Sequence, residues 1–197
     1  MDARGWDERY GQTELVWSAG PNATVAEQVA GLVPGTALDL GAGEGRNALW
    51  LAEQGWTVTA VDFSQVAMDK ARAAAARRGV VLEAVVADVT TYRPDRSYDL
   101  VLLAYLQLTW DQLAPVLRTA AAAVAPGGTF LLVSHDLTNL HEGVGGPQDP
   151  AVLQTPEQVA GALGGLRVRT AERIRRPVES DGGTRYAIDT LVRATAP

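Results

Sequence analysis

The chain has 197 residues, 47% of them apolar, with a formal net charge of −6, no cysteine and two histidines. A chain of this length buries roughly 70% of its unfolded surface in one core, so we expect a single domain over 1–197. The missing thiols exclude disulfides and cysteine nucleophiles, and the negative charge argues against a nucleic-acid partner, because phosphate binding depends on Lys and Arg.

No targeting or membrane segment is predicted. The first ten residues are charged and lack the apolar core of a signal peptide. No apolar run approaches the ~20 residues of a membrane span. We therefore expect a cytoplasmic protein with no membrane partner.

From residue 35 onward, short β-rich runs alternate with alanine-rich runs, which is typical of βαβ units around a parallel sheet. The first helix is predicted at 46–54, and the second extends from the N-cap Ser64 to Gly79. Five strands are predicted in this part of the chain, at 36–40, 57–61, 80–86, 98–103 and 129–134.

A third helix is predicted after the fourth strand, ending near Ala125 where Pro126-Gly127-Gly128 stops it. Its start stays open. Thr109 and Gln112 form a capping-box pattern, whereas Pro115 is better suited to a first turn than to a helix interior.

The remaining sequence predicts a long loop, a short helix and a hairpin. The loop at 135–156 is rich in Gly and Pro, and such long loops are usually functional lids or disordered. A capping box with Pro156 at the first helical position predicts a helix starting at Thr155. Extended runs at 168–178 and 185–194, joined through 181–183, predict a terminal antiparallel hairpin.

Three alternating glycines follow the first strand directly: Gly41, Gly43 and Gly45. They let the backbone turn tightly and approach a ligand. A dinucleotide fingerprint would have its third glycine at Arg46, and the carboxylates of Asp39 and Glu44 would repel a pyrophosphate. The spacing therefore favours a ligand with positive charge and no phosphate over a nicotinamide dinucleotide.

Two further acids follow later strands. Asp62 ends the second strand, where α/β nucleotide sites place an acid that accepts ribose hydroxyls. Asp88 follows the third strand and is placed to accept from an adenine amino group, with Phe63 and Val89 as apolar walls. All these segments lie at carboxyl ends of strands, where open α/β sheets bind ligands.

Together these segments resemble class I S-adenosylmethionine-dependent methyltransferases. The resemblance covers essentially the whole chain and rests on four segments: 38–48, 61–64, 87–89 and 126–128. The Gly-Glu-Gly-Arg-Asn form most resembles the small tellurite-resistance and thiopurine-type branch. The resemblance implies an α/β Rossmann-like fold whose seven-stranded, mostly parallel sheet has the order 3-2-1-4-5-7-6, with strand seven antiparallel and helices on both faces.

The resemblance also implies S-adenosyl-L-methionine as cofactor and a role for each motif. Gly41 and Gly43 would line the methionine part, and Arg46 would lie near its carboxylate. Backbone groups near Ala104 and Tyr105 would meet its amino group. Asp62 would hold the ribose and Asp88 the adenine, and residues 1–34 would form a cap that contributes Tyr10 and Trp17. The remaining motif positions complete the predicted cofactor-binding set: Asp39, Ala42, Asn47, Phe63, Ser64, Ala87 and Val89.

Methyl transfer from a sulfonium is an in-line displacement that depends mainly on positioning. A soft acceptor such as a thiolate, selenide or telluride needs little help, whereas an oxygen or ring nitrogen needs a base, for which His135 is the best candidate. The apolar rim around Tyr105, Leu106 and Trp110 favours a small acceptor: a thiol, metalloid oxyanion, phenol or heterocycle. No metal site is predicted, and the protein is expected to be a monomer or homodimer. An NAD-dependent oxidoreductase and a non-catalytic S-adenosylmethionine-binding protein stay open as alternatives.

Overall fold

The computed structural model describes residues 3–12, 20–179 and 183–197. Its strands are β1 (Thr36–Leu40), β2 (Thr57–Asp62), β3 (Leu82–Val86), β4 (Tyr98–Ala104), β5 (Val124–His135), β6 (Arg167–Val178) and β7 (Arg185–Thr195). They form one sheet in the order β3-β2-β1-β4-β5-β7-β6. The first five strands pair in parallel, and β7 is antiparallel to both β5 and β6. This confirms the predicted Rossmann-like topology.

Seven helices and one 3₁₀ turn lie in the described part of the chain. They are α1 (Ala3–Gly11), α2 (Ala23–Val29), α3 (Arg46–Glu53), α4 (Gln65–Arg78), α5 (Trp110–Ala122), α6 (Asn139–Glu142), the 3₁₀ turn Pro150–Val152 and α7 (Pro156–Ala162). Two predicted caps are confirmed. The Ser64 side chain accepts from the Ala67 amide at 3.1 Å, and Thr155 and Gln158 complete a capping box at α7.

Apolar residues cover both faces of the sheet. On one face, α2 and α3 pack over Leu100, Leu102 and neighbouring strand residues; on the other, α5 and α7 pack over Val101, Leu103 and their neighbours. The residues from Leu100 to Leu103 are at most 1% exposed. The continuous apolar run of β4 therefore reflects a strand covered on both sides, as expected for a central parallel strand.

Two predicted boundaries were wrong, and the structure decides one that the sequence left open. β3 begins at Leu82 rather than at residue 80. The third helix, α5, begins after Thr109 and carries Pro115 inside, so the capping-box position marks its start, although the Thr109 side chain makes no bond to a helix amide. α5 ends at Ala122, and the Pro-Gly-Gly segment lies inside β5, where the pairing with β4 shifts register and Gly127 has a φ of 74°. The Pro-Gly-Gly segment therefore does not end α5, as predicted, but forms an irregular part of β5.

The segment at 135–156 is also more ordered than the predicted loop. It contains α6 and the 3₁₀ turn, and Asp136 bridges to Gln154. Asp136 is fully buried and accepts from the Thr138 amide at 2.8 Å, the Thr190 hydroxyl at 2.7 Å and the Arg173 guanidinium at 3.0 Å. Thr190 and Arg173 lie on the distant strands β7 and β6, so the Gly and Pro content of the segment does not report these two contacts.

The amino-terminal helix α1 packs against α4 beside the glycine loop. The Ser64 hydroxyl and the Val66 amide donate to the Asp7 carboxylate, and the Lys70 ammonium donates to the Tyr10 carbonyl at 2.6 Å. These contacts place α1 over the carboxyl end of the sheet. Within the residues that the structure describes, no helix combines the length and the apolar character that a bilayer crossing requires.

Candidate active site

The glycine loop between β1 and α3 is shaped by three left-handed glycines, with φ angles of 76° at Gly41, 55° at Gly43 and 80° at Gly45. A β-carbon on Gly41 would lie 2.8 Å from Leu106 Cδ1. The left-handed backbone angle therefore favours glycine at this position, and the Leu106 side chain would have to move to admit a larger residue. The loop forms one wall of a cavity of about 1140 Å³ at the carboxyl ends of the strands.

Asp62 holds this loop from the end of β2. Its carboxylate accepts from the Gly43 amide and from the Ser64 amide, each at 2.9 Å. Burial raises the pKa of Asp62, and the amides of Ser64 and Gly43 offset only part of that rise. Asp62 lines the cavity, so the carboxylate that shapes the loop also faces the space where a ligand would lie.

Asp39 lies behind the glycine loop rather than in the cavity wall. It is 1% exposed, and neither carboxylate oxygen completes a hydrogen bond within the described chain. Burial and the nearby charge of Asp62 raise the pKa of Asp39 to about 7, and the Arg46 guanidinium and the Ala48 amide offset part of this rise. Asp39 is thus a buried acid that a nearby positive charge would favour in its ionised form.

The pocket that was predicted for the adenine ring is present in part. Phe63, Asp88 and Val89 line the cavity. One carboxylate oxygen of Asp88 accepts from the Thr90 amide at 2.8 Å and from the Thr90 hydroxyl at 2.7 Å. Asp88 therefore shapes its own turn and keeps its other oxygen for a ligand.

Most predicted cofactor-binding residues meet at this cavity. The residues that line it are Tyr10, Gly41, Ala42, Gly43, Arg46, Asn47, Asp62, Phe63, Asp88, Val89, Ala104 and Tyr105. Asp39, Ser64 and Ala87 do not line it: Ser64 caps α4, and the Ala87 amide donates to the Asp62 carbonyl at 2.9 Å. Glu44 also turns away and pairs with Lys70 at 2.9 Å. The predicted contact Trp17 lies outside the described residues.

The other half of the cavity contains a polar cluster of four residues, here called the Asp189 cluster: Tyr105, His135, Arg176 and Asp189. The Tyr105 hydroxyl donates to Asp189 Oδ2 at 2.6 Å, and Arg176 Nε donates to the same oxygen at 2.7 Å. His135 Nδ1 lies 3.2 Å from Asp189 Oδ1 without completing an aligned hydrogen bond. Tyr105, His135 and Arg176 line the cavity, and Asp189 is fully buried behind them.

The electrostatics of the Asp189 cluster keep Asp189 ionised. Burial alone would raise the pKa of Asp189, but contacts with His135, Arg176 and Tyr105 outweigh it and lower that pKa below its ordinary value. Burial and the Asp189 charge together raise the pKa of the Tyr105 phenol far above its ordinary value, so the phenol stays protonated as a donor. Among the described residues, Tyr105 is also the non-glycine residue with a positive φ, 57°, which is costly for a bulky side chain and occurs mainly at functional sites.

Arg176 and Asp189 are functional candidates that the sequence analysis missed. They come from the terminal hairpin, which had been assigned only a structural role. Asp189 did carry a signal, since an acid in the apolar run of β7 is unusual unless it is paired. Its partners are 84 and 13 residues away in the chain, so their identity depends on the fold.

The rim around the Asp189 cluster is mostly apolar. Its apolar residues are Leu106, Leu108, Val144, Pro147, Val152 and Val178. The Asn139 amide donates to the Gly145 carbonyl at 2.9 Å, and its oxygen accepts from the Ile188 amide at 2.7 Å. This pair of bonds fixes the 144–147 segment of the rim to β7. Across the described ranges, no three His, Asp or Glu side chains come together in a way that would hold a metal ion.

Comparison with known proteins gives a family for the central part of the chain. Residues 37–128 match the methyltransferase domain family. Curated relatives include Hemagglutinin 1 of Eikenella corrodens, 31% identical over 57% of this chain and 38% of the relative. A 2-heptyl-1-hydroxyquinolin-4(1H)-one methyltransferase of Mycobacteroides abscessus is 30% identical over 66% of this chain and 60% of the relative. A tRNA 5-carboxymethoxyuridine methyltransferase of Escherichia coli K12 is 32% identical over 61% of this chain and 49% of the relative. The chain thus spans less than two thirds of the length of each.

Solved structures share the fold over almost the whole chain. A protein from a study of disulfide-to-thioacetal conversion in echinomycin biosynthesis matches with a TM-score of 0.78 and 21% identity, covering 98% of this chain and 91% of that one. TehB from Haemophilus influenzae matches with a TM-score of 0.75 and 15% identity, covering 99% and 67%. The N-methyltransferase NodS from Bradyrhizobium japonicum, solved with S-adenosyl-L-homocysteine, matches with a TM-score of 0.71 and 18% identity, covering 99% and 98%. The solved structures therefore establish the fold, and the methyltransferase domain model matches residues 37–128 within it.

Proposed function

We propose that this protein transfers the methyl group of S-adenosyl-L-methionine to a small, largely apolar acceptor. One observation carries the proposal: the glycine loop and Asp62 open into the same cavity as the apolar rim and the Asp189 cluster. A cofactor held on the loop and an acceptor held by the rim would share one enclosed space. Such sharing is what an in-line transfer between two bound molecules requires.

The residues present fit this cofactor. Asp62 offers a carboxylate to the ribose hydroxyls, and the left-handed glycines keep the loop free of β-carbons where the methionine part would lie. Asp39, a buried acid with both oxygens unsatisfied, favours a cation above it. Arg46 lines the same wall and suits a carboxylate. When bound, the cofactor supplies an electrophilic methyl group on a sulfonium.

The acceptor class follows from the lining of the other half of the cavity. Apolar rim side chains favour a thiol, phenol or heterocycle, and the few polar groups that orient it belong to the Asp189 cluster. A heterocyclic acceptor agrees with the name of the Mycobacteroides abscessus relative. The name of the Escherichia coli relative includes tRNA, but the net charge of −6 favours a small molecule over a nucleic acid here. The Gly-Glu-Gly-Arg-Asn motif supports placing the chain with the tellurite-resistance and thiopurine-type branch.

The decisive experiment is incubation of the full chain with S-adenosyl-L-methionine and a panel of acceptors, with S-adenosyl-L-homocysteine measured by mass spectrometry. The panel contains thiols, phenols, hydroxylated heterocycles, selenite, tellurite and bulk tRNA. We expect release with at least one small organic acceptor, and slower release at limiting cofactor in Asp62→Ala. Release with tRNA alone would overturn the small-molecule proposal. Cofactor binding without release from any acceptor would indicate a non-catalytic binding protein.

A further inference from the structure

Resting on the proposed function, we infer that His135 is the general base for an acceptor that loses a proton from oxygen or nitrogen, and that Asp189 is the positioning residue that sets its tautomer. The sequence singled out His135 but gave it no partner. The structure supplies that partner from β7. The substrate class thereby narrows to hydroxylated rings and N–H heterocycles within the proposed group.

His135 presents one ring nitrogen to the cavity and hides the other. Its side chain is 15% exposed, and its Nδ1 atom is buried 3.2 Å from Asp189 Oδ1. Gly146 closes that side of the ring, since a β-carbon there would lie 3.0 Å from Nδ1, Cγ and Cε1. Nε2 is therefore the ring nitrogen that a bound acceptor can reach.

The sheet itself brings His135 and Asp189 together, because the two residues are register partners in the antiparallel β5–β7 pair. Tyr105 and Arg176 both donate to Asp189 Oδ2, at 2.6 Å and 2.7 Å. Those two bonds leave Oδ1 as the oxygen that faces His135. A carboxylate can only accept here, so Nδ1 must carry the proton and Nε2 must be the proton acceptor. The 3.2 Å contact lies within hydrogen-bond reach and needs only a change of angle to form that bond.

The charges around His135 suit a proton that arrives during the reaction. Asp189 is balanced by Arg176, and the Tyr105 ring lies 4.8 Å from the imidazole without adding charge. The neighbouring Asp136 carboxylate points away and accepts hydrogen bonds from Thr138, Thr190 and Arg173. Asp189 thus remains to stabilise the imidazolium that forms.

The step is balanced with these groups. The acceptor O–H or N–H bond breaks and its proton passes to His135 Nε2, while the lone pair on the acceptor atom forms the bond to the methyl carbon. The electrons of the broken carbon–sulfur bond stay on sulfur, which leaves as a neutral thioether. The imidazolium then releases its proton to water. A thiolate carries no such proton and would not need the base.

The tautomer of His135 tests the inference without any cofactor or acceptor. Nitrogen NMR on the ¹⁵N-labelled full chain observes only two imidazoles, and His141→Gln assigns them. We expect the neutral ring of His135 to carry its proton on Nδ1 and to leave Nε2 unprotonated. In Asp189→Asn, we expect Arg176 and Tyr105 to keep donating hydrogen bonds to the side-chain amide oxygen. The amide NH₂ then faces Nδ1, and the tautomer of His135 reverses. An Nε2-protonated wild-type ring overturns the inference, and this holds even if the variant does not fold.

Methyl transfer gives the second readout, with 1-hydroxyquinolin-4(1H)-one as the hydroxyl probe and thiophenol as the soft probe. We expect His135→Gln to lower S-adenosyl-L-homocysteine release from the hydroxyl probe about 100-fold or more, with release from thiophenol retained. His141→Gln is the matched control and should match wild type. Equal loss with both probes, or no loss with the hydroxyl probe, overturns the base assignment. If the wild-type protein methylates neither probe nor any panel acceptor, the proposed function fails. The NMR measurement of the tautomer still tests whether Asp189 sets the proton position on His135.

Discussion

Replacing Asp62 by alanine removes the carboxylate that holds the glycine loop and that we propose to bind the cofactor. Asp62 is 5% exposed and accepts from the Gly43 and Ser64 amides at 2.9 Å each. The loss leaves two amides without an acceptor and removes the charge proposed to hold the ribose. A charge-assisted bond of this kind contributes about 1–3 kcal/mol, so the Kd for S-adenosyl-L-methionine should rise roughly 5- to 150-fold.

The assay is isothermal titration with S-adenosyl-L-methionine, run well below the thermal midpoint of the variant, because the two orphaned amides also lower stability by a few kcal/mol. Asp99→Ala is the matched control. The Asp99 carboxylate likewise accepts from a backbone amide and a hydroxyl, both of Thr36, but at the opposite edge of the same sheet. We expect Asp99→Ala to lower stability and leave the Kd unchanged. An unchanged Kd in a folded Asp62→Ala variant would refute the role of Asp62 and reduce it to a turn residue.

Three further changes test other parts of the site. Because burial raises the pKa of Asp39 to about 7 in the folded chain, the free energy of unfolding should fall as the pH rises from about 4 to about 7. Asp39→Asn should flatten this slope and be the more stable protein at pH 8. Urea unfolding at pH 5 and pH 8 measures both effects, and a parallel slope in the two proteins would contradict this prediction. Gly41→Ala places a β-carbon 2.8 Å from Leu106 Cδ1 at a φ of 76°, so it should lower stability by about 1–2 kcal/mol or more and abolish cofactor binding. An isothermal titration with S-adenosyl-L-methionine that matches wild type would show that the loop does not need glycine there. Asp7→Ala removes the acceptor for the Ser64 hydroxyl, so α1 should be cleaved faster by trypsin in the ligand-free protein, and an unchanged cleavage rate would argue against this contact as the anchor.

The sheet and the cofactor side of the site were predictable because their signals are local. The alternation of β-rich and alanine-rich runs defines the parallel strands, and the residues at their carboxyl ends must meet at one edge. For that reason Gly41, Asp62 and Asp88, which are far apart in the sequence, could be assigned to one cavity. Asp39 was included with them on motif alone, and its side chain instead lies buried behind the loop.

The acceptor side was less predictable because its residues are joined by non-local contacts. Asp189 gains its partners from β5, from β6 and from the residue that follows β4, and no spacing in the sequence reports that Arg176 and Tyr105 share one of its oxygens. The segment at 135–156 carries loop composition, yet it is ordered by the buried carboxylate of Asp136. Both features depend on how the terminal hairpin inserts beside β5, which sequence periodicity does not show.

Isothermal titration of the full chain with S-adenosyl-L-methionine, with NADH as the comparison ligand, distinguishes a methyltransferase from a dehydrogenase. We expect saturable binding of one S-adenosyl-L-methionine per chain with a Kd below about 1 mM, within the range usual for enzyme substrates, and no binding of NADH. Binding of NADH in place of S-adenosyl-L-methionine, or of neither ligand, would contradict it.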